Sequence, residues 1–241
     1  MVEKDKDTDS SKAKIKVKAD SREIVVPGET IVSGEQYLPG EGVYRDGEDI
    51  VAARFGLADV SDKLIKIIPL SGVYIPRRGN VVIGTVTDII GKGWLLDIGA
   101  TDNAFLNVAE VPRYINQNEM PEHFNFGDSV VGKIFSIGGR GIDISVKNRG
   151  HGRLDDGLLI KINPNKVPRV IGKEGSMVNV IKDATGCNIT VGQNGVVWIK
   201  GESIDDEVKT KKIIKFICDN SAINGLTEKV EDFVKTMDKG K

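Results

Sequence analysis

Cysteine is almost missing from this chain: Cys187 and Cys218 are the only two in 241 residues. That argues against a disulfide framework or a structural zinc site, and both thiols read as small buried apolar residues. Histidine is as scarce, with His123 and His151 alone, and no metal-ligand spacing or cofactor motif is visible. Charge of one sign is also lacking. Lysine and arginine number 34 against 35 acids, a net charge of −1, so no global basic field marks a partner and any polyanion would have to be held by local patches. No apolar run reaches the ~18 residues of a membrane span, and no secretory leader pattern is present. A soluble, cytoplasmic protein with no membrane partner is expected.

Glycine, in contrast, is abundant at 28 residues, while aromatics make up 5%. Many glycines between short β-branched runs indicate short strands joined by tight turns. The opening "MVEKDKDTDSSK" is charged and without periodicity, so residues 1–13 are expected to be a disordered arm. Residues 14–75 alternate short β-like runs, beginning with "KIKVKA", with the turn signals Pro27-Gly28, Pro39-Gly40 and Asp46-Gly47. They form a small N-terminal β domain whose expected work is packing against a partner.

"PRRGNVVIG" opens a second region, 76–150. Five strand-like runs follow: "VVIGTVTDII", "GWLLDIG", "NAFLNVAEV", "DSVVGKIFSI" and "GIDISVK". Five strands in this length, with the polar connection "PRYINQNEMPEHFNFG" between the third and fourth, predict a small closed OB-type barrel. Helical periods appear only in region 151–241. "GLLIKIN" reads as a strand and "PNKVPRVIG" as a short helical approach. "SMVNVIKDA" places Met177, Val180, Ile181 and Ala184 on one helical face, and Thr185-Gly186 stops that helix. "NITVGQNGVVWIKG" reads as a hairpin whose Asn194-Gly195 is a type I′ signal. Ser203 is the expected N-cap of the next helix, with acids in its first turn, and "LTEKVEDFVKTM" is a last amphipathic helix.

The stretch "VIGKEGS" carries the most chemistry. A helix N-terminus offers unpaired N–H groups and a partial positive charge, and phosphate binds there. Glycine lets a sugar-phosphate chain approach the backbone. Gly172 and Gly175, set between two short helices, therefore read as a phosphate cradle, with a plain helix–turn–helix the other reading of these four residues; Lys173 adds attraction and Glu174 opposes it. Aspartate at either glycine is expected to weaken binding with the fold intact. The Walker A order and spacing are not met. The Ile-Gly-x-x-Gly loop, apolar helix, Thr-Gly stop, hairpin and capped helix together resemble the type I KH domain (βααββα), an RNA-binding module. The resemblance implies that residues 172–175 clamp about four nucleotides, with Arg169 and Ile171 beside them. Ile171, Met177, Val178 and Ile181 would line either the adjoining groove or the core.

The barrel resembles the S-one domain, on Gly84-Thr85-Val86, Gly93-Trp94 and Gly127-Asp128-Ser129-Val130. Such barrels hold single strands by stacking aromatics and a basic groove. Trp94 and Phe105 are the aromatic candidates, with barrel core the other reading of Phe105. Lys92, Arg113, Lys133, Arg140, Lys147 and Arg149 are either phosphate contacts or solvated surface. Where that family often has a histidine on the third strand, Asn107 stands here.

The fold class expected is thus multidomain and mainly β, with a C-terminal α+β part. The order N-terminal β domain, S-one and KH resembles the RNA-binding cap subunits of the archaeal exosome, the family of ribosomal-RNA-processing protein four. That resemblance implies a non-catalytic subunit, three copies of which sit on a hexameric ring of RNase-PH-like phosphorolytic subunits. The N-terminal domain would dock on the ring, and the other two would guide single-stranded RNA, 3′ end first, into its pore. A transcription elongation or antitermination factor joining S-one to KH is the alternative, and a hydrolytic nuclease using scattered carboxylates a further one.

Overall fold

The computed structural model describes residues 23–139, 141–221 and 225–238. The arm, the run "KIKVKA" and Arg140 lie outside these. The chain divides into two compact units, one ending at Ser71 and one starting at Gly72.

The first unit holds seven short strands: β1 (Ile24–Val25), β2 (Thr30–Ser33), β3 (Leu38–Pro39), β4 (Val43–Asp46), β5 (Asp49–Ala52), β6 (Gly56–Ser61) and β7 (Leu64–Pro69). They form two sheets, β1-β6-β7-β3 and β2-β5-β4. Alternation decides which face is buried. In β7, Ile65 and Ile67 turn inward onto Val25, Ile31, Ile50 and Ala58, while Leu64 and Ile68 stay exposed. Ile24 and Leu38 are exposed too, at 61% and 58%, so this small sheet keeps an apolar outer face.

The second unit opens with the barrel: β8 (Val81–Ile90), β9 (Gly93–Asp97), β10 (Ala104–Asn107), β11 (Ser129–Gly138) and β12 (Gly141–Ser145). The order β12-β10-β9-β8-β11 is closed by the β11–β12 pairing, and β10 runs parallel to β12. Bulges between Val86 and Asp88 and between Ile134 and Ser136 bend the strands that must curl the most. The polar connection is not a strand: it contains a 3-10 turn and the short helix α1 (Met120–His123), and its Met120 and Phe124 seal the barrel core. A two-residue strand, β13 (Gly152–Arg153), then pairs with β11.

The α+β part follows as β14 (Leu158–Lys161), α2 (Val167–Ile171), α3 (Ser176–Thr185), β15 (Asn188–Val191), β16 (Val196–Lys200) and α4 (Ile204–Asp219). That is the βααββα order, with an antiparallel sheet β14-β16-β15. Val170, Met177, Ile181, Ile199, Ile213 and Ile217 make its core. Ser203 Oγ accepts the Asp206 N–H and so caps α4. A further helix, α5 (Leu226–Asp238), packs on α4 through stacked Phe216 and Phe233, with centroids 4.2 Å apart.

The barrel and the α+β part belong to one compact unit. The β15–β16 hairpin shows why. Asn194 does not have positive φ; in that turn only Gly195 does, at +84°. The turn is therefore not the type I′ expected, which needs positive φ at both central residues. Asn194 is instead buried against the barrel, donating to Ile83 O (2.8 Å) and Ile98 O (2.9 Å) and accepting from the Ile83 N–H (3.2 Å).

Candidate nucleic-acid interface

Helix α2 ends where Gly172 takes φ +75°, ψ 176°, its N–H closing on Pro168 O at 2.9 Å. Glu174 (φ +55°, ψ 27°) and Gly175 (φ +83°, ψ 8°) follow in the left-handed region, and α3 starts at Ser176. No side chain caps α3; the Ser176 N–H already donates to Lys173 O, and the rest of the first turn carries the partial positive charge that favours an anion. Lys173 and Glu174 are exposed, as is Arg169 on α2. Ile171 and Val178 are half-buried, whereas Met177 and Ile181 belong to the core.

The two glycines differ. A Cβ on Gly172 would lie 2.6 Å from the Met177 amide nitrogen and 2.7 Å from Ser176 Oγ; one on Gly175 would meet nothing within 4 Å among the described residues. Gly172 is thus a close approach of loop to helix, and Gly175 a turn residue facing open space. The expectation that either would accept aspartate with the fold intact holds sterically for Gly175 and not for Gly172.

On the barrel, an open groove of about 650 Å³ is lined by Phe105, Phe135, Asn103, Asn107, Glu110 and Asp143, among others. Phe105 pairs with Leu95 across to β9 and with Asp143 across to β12, and a Cβ on Gly93 would strike its ring at 2.7 Å. The ring therefore lies over Gly93 on the outer face, outside the barrel core. Phe135 is 41% exposed. It was missed in the sequence, although the alternation Lys133, Phe135, Ile137 outward against Ile134 inward was there to be read.

Trp94 is a correction. It is 0% exposed, its indole N–H donates to Phe124 O at 2.9 Å, and the two rings meet edge to face at 5.1 Å. With Trp94 and Leu96 turned inward along β9, the tryptophan fills the barrel and offers no face to a base.

Next to the groove, sharing Glu110 and Phe135 with it, a pocket of about 440 Å³ is lined by Arg78, Lys133, Ser145 and Asn148. Arg78, in the "PRRG" joint, is a cation that sequence reasoning had not singled out. Lys92 and Arg113 are exposed but line neither cavity. The Ser145 hydroxyl, and then Lys147 at 3.0 Å, hold the Glu110 carboxyl below the usual carboxylate range. Asp143 has no ion-pair partner among the described residues. The groove is thus aromatic and mildly acidic at one end and cationic at the other, an arrangement that admits base faces and edges to the first part and phosphate to the second.

Residues 157–205 match the model of the KH domain, and residues 24–61 that of the N-terminal region of exosome complex exonuclease RRP4. Exosome complex component Rrp4 of Methanothermobacter thermautotrophicus is 39% identical over 216 residues, 89% of this chain and 68% of that protein. Its namesake in Methanothermus fervidus is 37% identical over 88% of this chain and 95% of its own length. The chain belongs to the Rrp4 family of exosome complex components. A crystal structure of a protein assigned to the exosome complex as an RNA-binding protein superposes with a TM-score of 0.63, covering 70% of this chain and 98% of that one at 29% identity. Within the Rrp4 family, then, the loop at 172–175 lies inside the matched KH segment, and the barrel sits between the two matched regions.

Proposed function

We propose that this Rrp4-family chain is a non-catalytic RNA-binding cap subunit of an archaeal, cytoplasmic exosome. It captures single-stranded RNA and passes it to a phosphorolytic ring of RNase-PH-like subunits. The observation that carries the RNA reading is the loop at 172–175: left-handed backbone, an uncapped ten-residue helix behind it and an exposed Lys173. Arg169, Ile171 and Glu174 flank the clamped strand. The barrel adds a second surface, where bases stack on Phe105 and Phe135 while Lys133 and Arg78 meet phosphates. Lys92 and Arg113, both exposed, serve as auxiliary phosphate contacts, and Arg140, outside the described residues, stays a further candidate by its charge.

Catalysis belongs to the ring. A two-metal nuclease needs several carboxylates converging on one site, and in the groove Glu110 is engaged by Lys147. The exposed apolar face of the N-terminal unit, with Ile24, Ile68, Leu38 and Leu64, suits docking on the ring. Three copies around one pore would raise the effective concentration of weak sites. Native mass spectrometry of the tagged chain drawn from its own cells tests the assembly. A complex with three copies and six ring subunits is expected; a lone chain of 26.2 kDa, or a complex with RNA polymerase, refutes it.

A further inference from the structure

Strand β8 pairs with β11 from Val81 to Thr85, but its ladder to β9 begins only at Thr85, opposite Asp97. Over residues 81–83 no residue of β9 stands opposite. A barrel left to itself would have a gap in its wall there, with strand N–H and C=O groups that must find partners. The tip of the β15–β16 hairpin fills it. Gln193 N–H donates to Val81 O (2.8 Å), and Val81 N–H donates to Gln193 Oε1 (2.9 Å). Asn194 then meets both polar groups of Ile83 and reaches across to Ile98 O, so two residues make five hydrogen bonds to the barrel. Asn194 is 7% exposed, one of two buried polar residues among those described. Its neighbours leave no slack: a Cβ on Gly192 would lie 2.9 Å from Ile83 N, and one on Gly195 2.3 Å from Ile162 O.

We propose that Asn194 is a positioning residue for RNA. By completing the barrel wall with the KH hairpin, it holds the 172–175 loop at a fixed place relative to the Phe105–Phe135 groove. A strand long enough to reach both surfaces is then bound as by one preorganised site, whereas an RNA filling one surface gains nothing from the clip. This rests on the RNA-binding reading above. It also removes the hairpin tip from the residues available to contact RNA.

The test compares two RNAs on the full chain by fluorescence anisotropy: one of about four nucleotides, the length a KH loop clamps, and one of about 20. In Asn194→Ala, the short RNA is expected to bind within about twofold of the unaltered chain, and the long one about tenfold more weakly. Gln193→Ala, which removes one of the five bonds and leaves Asn194 in place, is expected to keep both affinities within about twofold. A folded Asn194→Ala chain that keeps its long-RNA affinity, or loses both by the same factor, overturns the proposal. Should that variant not fold, amide hydrogen exchange on the unaltered chain decides: Ile83 protected as strongly as the barrel amides supports the clip, and exchange at loop rates overturns it. Failure of the RNA reading itself has a separate signature, an unaltered chain that binds neither RNA.

Discussion

Gly175→Asp isolates the phosphate cradle, provided it is compared with Gly175→Asn. Both side chains enter open space, since a Cβ there meets nothing within 4 Å. Both pay for a left-handed backbone at φ +83°, ψ 8°, about 1 kcal/mol for residues as tolerant of it as Asp and Asn. For a domain of this size that lowers the melting temperature by about 2–4 °C in each variant. What differs is one negative charge beside the first turn of α3. At about 4 Å from a phosphate, that charge costs roughly 1 kcal/mol in bulk water and about 4 kcal/mol at the effective dielectric of a protein surface. An exposed loop lies near the lower figure, so about fivefold weaker binding of single-stranded RNA is expected for Asp relative to Asn. Anisotropy titrations at low and physiological ionic strength should show the gap narrowing as salt screens it. Equal affinities for the two variants at low salt, with matched melting curves, would refute phosphate binding at this loop. Gly172 cannot serve as the test. Its φ +75°, ψ 176° belongs to a region open almost only to glycine, where other residues cost about 1–3 kcal/mol, and its Cβ would strike the Met177 amide.

The barrel aromatics should separate by role. Phe105→Ala and Phe135→Ala are each expected to lose about 1–3 kcal/mol of RNA affinity with little change in melting. Trp94→Ala should destabilise the fold by about 3–5 kcal/mol; a Trp94→Ala chain that melts normally would sink the core assignment. Glu174→Gln removes the carboxylate that opposes phosphate and should tighten RNA binding a few-fold at low salt, with melting unchanged; weaker binding would mean that Glu174 itself contacts the RNA. His151 gives a pH prediction. Burial, and then the nearby Lys133, push its pKa below the ordinary value, partly offset by a hydrogen bond to the Ser145 backbone, and its Nδ1 is buried without a partner among the described residues. The unfolded chain therefore takes up the proton first as pH falls below about 6.5. Stability from this group is whole above that pH and declines below it, and His151→Gln should flatten the decline in melting curves taken across that range.

Much of this fold could be read in the chain because glycine punctuation and alternation are local signals. All five barrel runs became strands, and the helix stops and the Ser203 cap fell where their residues placed them. Contacts made at a distance were harder. Asn194-Gly195 looks like a type I′ turn on its own. The asparagine is diverted because the barrel wall has a gap 111 residues earlier in the chain, at Ile83. Trp94 and Phe105 were equivalent as aromatics on neighbouring strands. Their faces were set by register: Trp94 shares its inward face with Leu96, while Phe105 stands opposite Leu95 over the bare backbone of Gly93. Phe135 was legible by alternation but lay in a run read only for its apolar content. Arg78 looked like part of a joint, and only the folding of that joint beside Lys133 made it a lining residue.

The charge distribution limits how a chain of net charge −1 could hold a polyanion. The acids and bases are not spread evenly. Residues 1–75 carry 11 basic and 14 acidic groups, residues 76–150 carry 8 and 8, and residues 151–241 carry 15 and 13, so the balance runs from −3 through 0 to +2. On the proposed function, neither surface would gain from a long-range field, and each would have to work at short range: backbone N–H groups and one lysine at the loop, two phenylalanine faces and a few polar edges at the groove. Such contacts are individually weak and relax when mispositioned by an ångström or two. Their combined affinity would therefore depend on geometry more than on charge, and geometry is what Asn194 is proposed to supply. For the proposed assembly, the same reasoning predicts that a single copy binds RNA poorly and three copies bind it well, because fixed weak sites around a pore would multiply through effective concentration without any copy holding the strand too tightly to let it move.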